Sequence, residues 1–576
     1  MRISHVSPAL LLVMASGCSN QASNPDPTPE TTQSAVEPIV ASSAFGLTGV
    51  PAANTKTAGV SSPNSLSPEL METIVAQGSN AVENPTAVDL GNGSSATVTN
   101  YGYDGDGPMV PAPGDLPSAT HKVEATKTEP DKNTYLVLND QTGADPNYDY
   151  GSHFLFQGHE LGTLNAAGAP IGSITRINLD ADGPHRVTLL ATTDTSGAAL
   201  PLIDGSTWDP FAQKLLFSSE NGAAGGIWQA TLSFPSTVED ISGALGRGGY
   251  EGIQNDQDGN LWIVEDSGGK TGTASPHAKQ PNSFLYRYVP KHKNDLKQGK
   301  LQALQVMSLQ TGTPIAFHAG AADADILSAD VGDLHTYGKV FDTEWVTIHD
   351  TDVDGYSPFN ANSLAKAALA TPFKRPENGQ FRPQSGFREF YFDETGDTNI
   401  LSEAGAAHGG FGSVLKLVQA SPSSNSGKLS LFYLSDVVHS AFDNCAFWSR
   451  DHIVFVEDAG DGLHSQRNAL DSAYVLDVKL DYSNPANVPV RIIAEGRDPS
   501  ATIDSALSGL GLAGFQNEGD NEITGIHISD GDPGRSGLLG ARIPRPFFDG
   551  WRVFYTQQHG ENFTWEVLWN PTRFER

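Results

Sequence analysis

Three glutamates, Glu251, Glu377 and Glu522, hold one matched place in a recurring sequence pattern, the start of a short apolar strand. Glu160, Glu220, Glu265, Glu394 and Glu457 hold a second place, just after a strand, and Asp266 and Asp458 follow two of them. If the elements carrying the pattern converge, these side chains converge too. Converging carboxylates repel one another and lose hydration when buried. The chain has 35 Lys and Arg against 67 Asp and Glu, a formal charge of −32, so bound cations are the natural neutralisers. All-oxygen donors suit Ca²⁺ or Mg²⁺, and also trivalent iron. The alternative is that these acids decorate turns in solvent. His159, beside Glu160 at the end of a strand, is a candidate ligand or proton donor, or else a hydrogen-bonded loop histidine. Cys445 takes the first matched place in its own copy and reads as a small buried hydrophobe.

Other motifs are weaker. Asp350-Thr351-Asp352-Val353-Asp354-Gly355 opens like a calcium loop, but Ala361 stands where an EF-hand needs its closing Glu. It reads equally as a solvated acidic turn. Asp256 to Asn260 reads as a turn between strands. No GxSxG elbow, P-loop, GxGxxG strand–helix turn or HExxH is present, which leaves nucleophilic-serine and nucleotide-binding readings without support.

The elements that must position the glutamates are strands. From about residue 121 the apolar runs are short, β-branched or aromatic, and bounded by turn residues: YLVL (135–138), HFLF (153–156), KLLF (214–217), NLWIV (260–264), EFYF (389–392), HIVFV (452–456) and WRVFY (551–555). Asn362 to Ala370 is the clearest helical stretch. The repeated unit is an acidic opening, an Asp-Gly turn, a strand, an acidic residue, a glycine-rich gap and a further strand. YEGIQNDQDGNLWIVEDSGG (250–269) is its best copy. About six copies predict a six-bladed β-propeller with insertions, with seven blades as the alternative. A propeller brings the inner strands to a central channel, where matched side chains meet.

With 576 residues, 60 Gly, 36 Pro and 2 Cys, the chain is neither a coiled coil nor a disulfide scaffold. Its acidity argues against nucleic-acid binding. Residues 1–18 have the layout of a signal peptide, and Ser16-Gly17-Cys18 resembles a lipoprotein cleavage box, with Cys18 as the lipidated residue. That predicts a cell-envelope or periplasmic protein held by an N-terminal lipid anchor, plain secretion being the alternative. Residues 19–114, rich in Ser, Thr, Asn, Ala, Pro and Gly, predict a tether with one short helix around Pro68 to Ala76. Residues 115–576 are then the propeller domain, expected to be monomeric.

Ordered blocks along this domain resemble the PhoX-type phosphatase family of secreted bacterial β-propellers. They are FLFQGHELG (154–162), GRGGYEGI (246–253), TPFKRPENG (371–379), NEITGIHIS (521–529) and FYTQQHGEN (554–562). The resemblance implies a six-bladed propeller that hydrolyses small phosphomonoesters with calcium and iron on its axis. Glu251 and Glu377 match the family's metal-binding glutamates, Glu160 and Glu220 match acidic positions near the site, and Arg375 is placed to face phosphate. The family's iron-binding cysteine has no counterpart in GSTWDPFAQKLLFSSENG (205–222), where only Ser206 or Thr207 lies near its place. Iron is therefore doubtful. Three readings follow: a metal-dependent phosphatase in which His159 protonates the leaving group, a calcium-binding propeller without turnover, or another propeller hydrolase of lactonase or phytase type.

Overall fold

The short runs form strands because β-branched and aromatic side chains fit a pleated, half-buried surface, and the Gly, Asp and Asn clusters between them turn the chain back. The computed structural model describes residues 45–56, 63–89, 91, 93–104, 126–160, 171–496, 522–558 and 562–573. The protein is all-β, with a few short helices. No helix among the described residues is long and apolar enough to cross a membrane.

The sheets are mainly antiparallel, with one parallel pair between Ala81–Asp89 and Val187–Ala191, and are arranged like the blades of a propeller. One runs Ser206–Asp209, Lys214–Ser219, Gly226–Ala230, Val238–Asp240 in chain order. Another runs outward from Phe442–Phe447 through His452–Glu457 and Ser472–Asp477 to Val490–Ala494. A nine-stranded sheet begins at Tyr250–Asn255, ends at Gly379–Phe381, and carries the long strand Val340–Asp350 at its centre. The first strands neighbour one another in a closed cycle: Pro130–Val137, Ser206–Asp209, Tyr250–Asn255, Gly379–Phe381, Phe442–Phe447, Glu522–Ser529, and back to Pro130–Val137. Apolar layers fill the space between successive sheets. Phe154, Phe156, Leu215, Phe217 and Trp228 form one, and Ile523, Ile526, Val454 and Val475 belong to another. Strand Val340–Asp350 alternates buried and exposed residues over its first half, whereas Tyr250–Asn255 is buried throughout. The predicted helix is found at Ala361–Ala367, capped by Asn360 Oδ1 accepting from Ser363 N.

The expected tether is corrected in part. Ser65–Leu66 pairs with Val490–Ala494, Leu70–Ala76 pairs with Phe563–Trp569, and Ala81–Asp89 lies between Val187–Ala191 and Ser95–Asn100. The residues predicted as a helix around 68–76 are therefore a strand, as Thr73, Ile74 and Val75 favour. An outer strand needs little apolar surface, because its stability comes from ladder hydrogen bonds and one covered face. Met71 and Ile74 accordingly stay exposed. The signal segment and Cys18 lie outside the described residues.

Candidate metal centre

Eight carboxylates gather where the first strands meet. Asp131, Asp204 and Glu251 place oxygens within 4.8 Å of one another, and so do Glu251, Glu377 and Asp443; Glu377, Asp266 and Glu220; and Glu220, Glu160 and Asp204. Each triad shares one residue with the next, so the four close into a ring. Local backbone features aim these side chains inward. The strand register shifts between Pro130 and Asn133, between Tyr250 and Ile253, and between Phe442 and Cys445. Asp131, Glu251 and Asp443 occupy those bulges, which re-aim side chains that a regular strand would direct elsewhere. Gly205 makes room beside Asp204: a Cβ there would lie 2.4 Å from Glu251 O.

Asp131, Asp204, Glu251, Asp266, Glu377 and Asp443 are buried, and Glu160 and Glu220 nearly so. Burial first, and then repulsion from neighbouring acids, holds the carboxyls of Glu160, Asp204, Glu220, Glu251, Glu377 and Asp443 well above the ordinary range. Burial pushes Asp131 up to about 6 against hydrogen bonds that lower it. Both Asp204 oxygens and Asp443 Oδ2 are buried without a hydrogen-bond partner. Buried acceptors are rarely left so. Oxygens that lack protein donors and crowd one another fit hard cations, and the donor set is all oxygen.

Two protein cations border the ring. Arg375 Nε donates to Asp266 Oδ2 at 2.8 Å, and Nη2 reaches Glu377 Oε1 at 3.2 Å. Arg375 has φ of 59°, a left-handed conformation uncommon for a residue with a Cβ. Its backbone is held there by Thr395 N donating to Arg375 O at 2.8 Å and by Glu394 Oε1 accepting from Lys374 N at 2.8 Å. Glu394 is itself paired with His335 Nε2 at 2.8 Å, and Lys374 Nζ with Asp397 Oδ2 at 2.8 Å, all four buried. Lys132 Nζ donates to Asn378 Oδ1 at 2.6 Å. Burial lowers its ammonium, while Cys445, Asp443, Asp131 and Asp393 favour the charge.

The structure brings together Glu160, Glu220, Glu251, Glu377 and Arg375. Glu522 opens its strand and is buried near Glu160, Asp458 and Glu495, yet joins none of the four triads. His159 is turned away from the proton-donor role expected of it. It ends strand His153–His159, is fully buried, and lies between Thr128 Oγ1 at 3.0 Å and Thr175 Oγ1 at 2.8 Å, its imidazolium suppressed by burial to about 3. The second matched place splits: Glu160 and Glu220 face the ring, but Glu265 binds Tyr286 and Asn362, Glu394 binds His335, and Glu457 binds Arg467. Asp350 and Asp352 pair with Lys300 and Lys291. Asp256 takes the turn role, accepting from the backbone of Asp258 and Asn260. Cys445 is buried among Tyr391, Phe447 and Phe455 and belongs to none of the carboxylate groups found among the described residues.

Asp131, Asp204 and Asp443 were not anticipated. Aligning Cys445 with Glu251 hid Asp443, which takes the same place in its bulge as Glu251 does, two residues before Cys445.

Residues 279–465 match the family model described as "Alkaline phosphatase PhoX", a stretch that includes the block TPFKRPENG (371–379). The matched region carries Arg375, Glu377 and Asp443, and the other ring carboxylates lie before it. Among solved structures, "Pseudomonas fluorescens PhoX in complex with vanadate, a transition state analogue" is similar with a TM-score of 0.51 at 11% identity, covering 90% of this chain and 98% of that one. At that identity the likeness shows the fold. A glucose dehydrogenase at 10% identity covers 63% of this chain and 95% of its own, but its TM-score of 0.26 carries no argument. No curated protein matches the chain.

Proposed function

We propose that the chain is a metal-dependent phosphomonoester hydrolase related to PhoX, with the carboxylate ring as its active centre. The single observation behind this is the closed ring of four triads, in which both Asp204 oxygens and Asp443 Oδ2 lack a hydrogen-bond partner. Glu160, Glu220, Glu251, Glu377, Asp131, Asp204, Asp266 and Asp443 would hold the cations, calcium among them. When bound, such cations offset the charge of phosphate oxygens and lower the pKa of coordinated water. Arg375 is the chain's own contribution to the phosphate. Nε and Nη2 are committed to Asp266 and Glu377, and Nη1 has no hydrogen bond among the described residues, so the fork is fixed with one nitrogen available. Leaving-group protonation does not fall to His159, which is buried between Thr128 and Thr175.

The reading extends to the whole chain as a proposal: six blades, with the nine-stranded sheet taken as two joined through Val340–Asp350, and an envelope protein anchored through Cys18. A small phosphorylated molecule is the substrate.

The test is hydrolysis of p-nitrophenyl phosphate by purified protein before chelation, after it, and after calcium and iron add-back. Activity lost and recovered supports the proposal. Inactivity with metals fully loaded sinks it and favours the calcium-holding propeller without turnover. One observation speaks for that second reading: no thiolate joins the ring among the described residues, and Ser206, near the family cysteine's place, is spent on Thr134 Oγ1 at 2.8 Å and Lys132 O at 3.0 Å.

A further inference from the structure

A second cluster lies apart from the ring and shares no residue with it. His464, Asp471 and Glu495 are all buried and place ligand atoms within 4.8 Å of one another. His464 is on the helix Gly460–Arg467, which links strand His452–Glu457 to strand Ser472–Asp477. Asp471 immediately precedes Ser472–Asp477, and Glu495 immediately follows Val490–Ala494. These two strands pair with Ser472 opposite Ala494, so the acids meet at the end of one ladder. The helix holds the imidazole over that end.

Ordinary pairing leaves this imidazole unexplained. His464 Nε2 stands 3.0 Å from Asp471 Oδ1, with both side chains fully buried. Yet neither ring nitrogen has a hydrogen-bond partner of acceptable geometry. A buried histidine normally has both nitrogens satisfied. A buried nitrogen without a hydrogen bond, crowded against a carboxylate oxygen, is what two ligands of one ion show, since donors at about 2.1 Å from a tetrahedral metal lie about 3.4 Å apart. The carboxylates also keep capacity. Glu495 takes a neutral donor, Gln557 Nε2, at 3.0 Å, and the Asp471 amide at 3.3 Å. Asp471 accepts from Arg467, which is shared with Glu457, on Oδ1 at 2.8 Å and from Ala459 N on Oδ2 at 3.3 Å.

We infer that His464, Asp471 and Glu495 form a second, mononuclear metal site for a transition ion such as Zn²⁺, distinct from the all-oxygen ring. One imidazole and two carboxylates are a donor set that zinc accepts and that calcium, with its preference for oxygen, does not. The site joins two sheets and the N-terminal segment. Gln557 lies on the strand Arg552–Gln558, and Asn64, just before Ser65–Leu66, bonds both Gln557 and the Gly496 amide. Bound metal would staple the place where the first described strands meet the last.

The test uses the full chain, stripped of metal and then saturated with calcium to fill the ring. Zn²⁺ is added and bound zinc is counted, and the zinc absorption edge is recorded for its ligand shell. One equivalent of zinc with one imidazole in its shell, accompanied by a higher melting temperature, is expected. His464→Gln should lose that equivalent and that shift. No zinc uptake, equal uptake by His464→Gln, or a shell of oxygen alone would overturn the inference. If His464→Gln does not fold, Glu495→Gln takes its place, and the wild-type spectrum decides without any variant.

Discussion

Asp204 shows most plainly what the ring asks of single residues. Both its oxygens are buried without protein donors, beside Glu251 and Asp131. Asp204→Asn should therefore act in opposite directions with and without metal. In chelator, removing a repelled charge should stabilise the fold, each unit of upward shift being worth about 1.4 kcal/mol. With calcium, the lost ligand should lower both stability and uptake. Thermal melts in the two conditions check this, and a variant that melts lower in both would contradict it. Asp131 gives a pH window. Its folded value of about 6 stands above the ordinary 3.8. A raised carboxyl contributes stability that is present below 3.8 and lost as pH rises through about 6. Metal-free protein should weaken across that interval, and calcium, which binds the ionised form, should offset the loss. Denaturation midpoints at several pH values, with and without chelator, measure it. At this scale the sequence was half legible. Glu251, Glu377, Glu160 and Glu220 sit at repeat positions that alignment can find. Asp131 lies in Glu-Pro-Asp-Lys-Asn and Asp204 in Ile-Asp-Gly-Ser, which look like turns, and only the fold reveals what they face.

Elements explain why the ring is aimed as it is. The bulges at 130–133, 250–253 and 442–445 turn carboxylates inward, and the brace behind residues 374–377 holds Arg375 in its unusual conformation. Glu394 is central to that brace. Burial opposes its charge, but His335, the Lys374 amide and Ser413 outweigh it and hold its carboxyl below the usual range. Glu394→Gln breaks a buried pair with His335 and should cost about 3 kcal/mol, read as a lower denaturation midpoint. Phosphatase activity should fall further than stability alone explains, because Arg375 is no longer fixed; unchanged kinetics in the folded variant would contradict the brace. Strands rich in apolar residues were readable as strands. Bulges were not, since a single unpaired residue leaves no periodic mark.

The whole molecule closes through its N-terminal strands. Leu70–Ala76 completes the sheet of Glu522–Ser529, Arg552–Gln558 and Phe563–Trp569, and Ser65–Leu66 caps the neighbouring sheet. Polar composition made this region look like a tether, because an outer strand can be held by its ladder with little apolar surface. Removing residues up to 80 should therefore leave unpaired strand edges and lower the melting temperature or abolish soluble expression. A truncated chain that melts like the full one would refute the closure. The meeting of first strands from several sheets makes the ring possible, since no single sheet carries more than part of it. The central claim is that these carboxylates bind cations and, through them, act on phosphate. Its most direct measurement is metal content together with p-nitrophenyl phosphate turnover on the same sample, for wild type and for the Glu251→Gln, Glu377→Gln double variant. The account predicts bound calcium and chelator-sensitive turnover in the wild type, with both lost in a folded double variant. Equal metal content and equal turnover in the two proteins would contradict it.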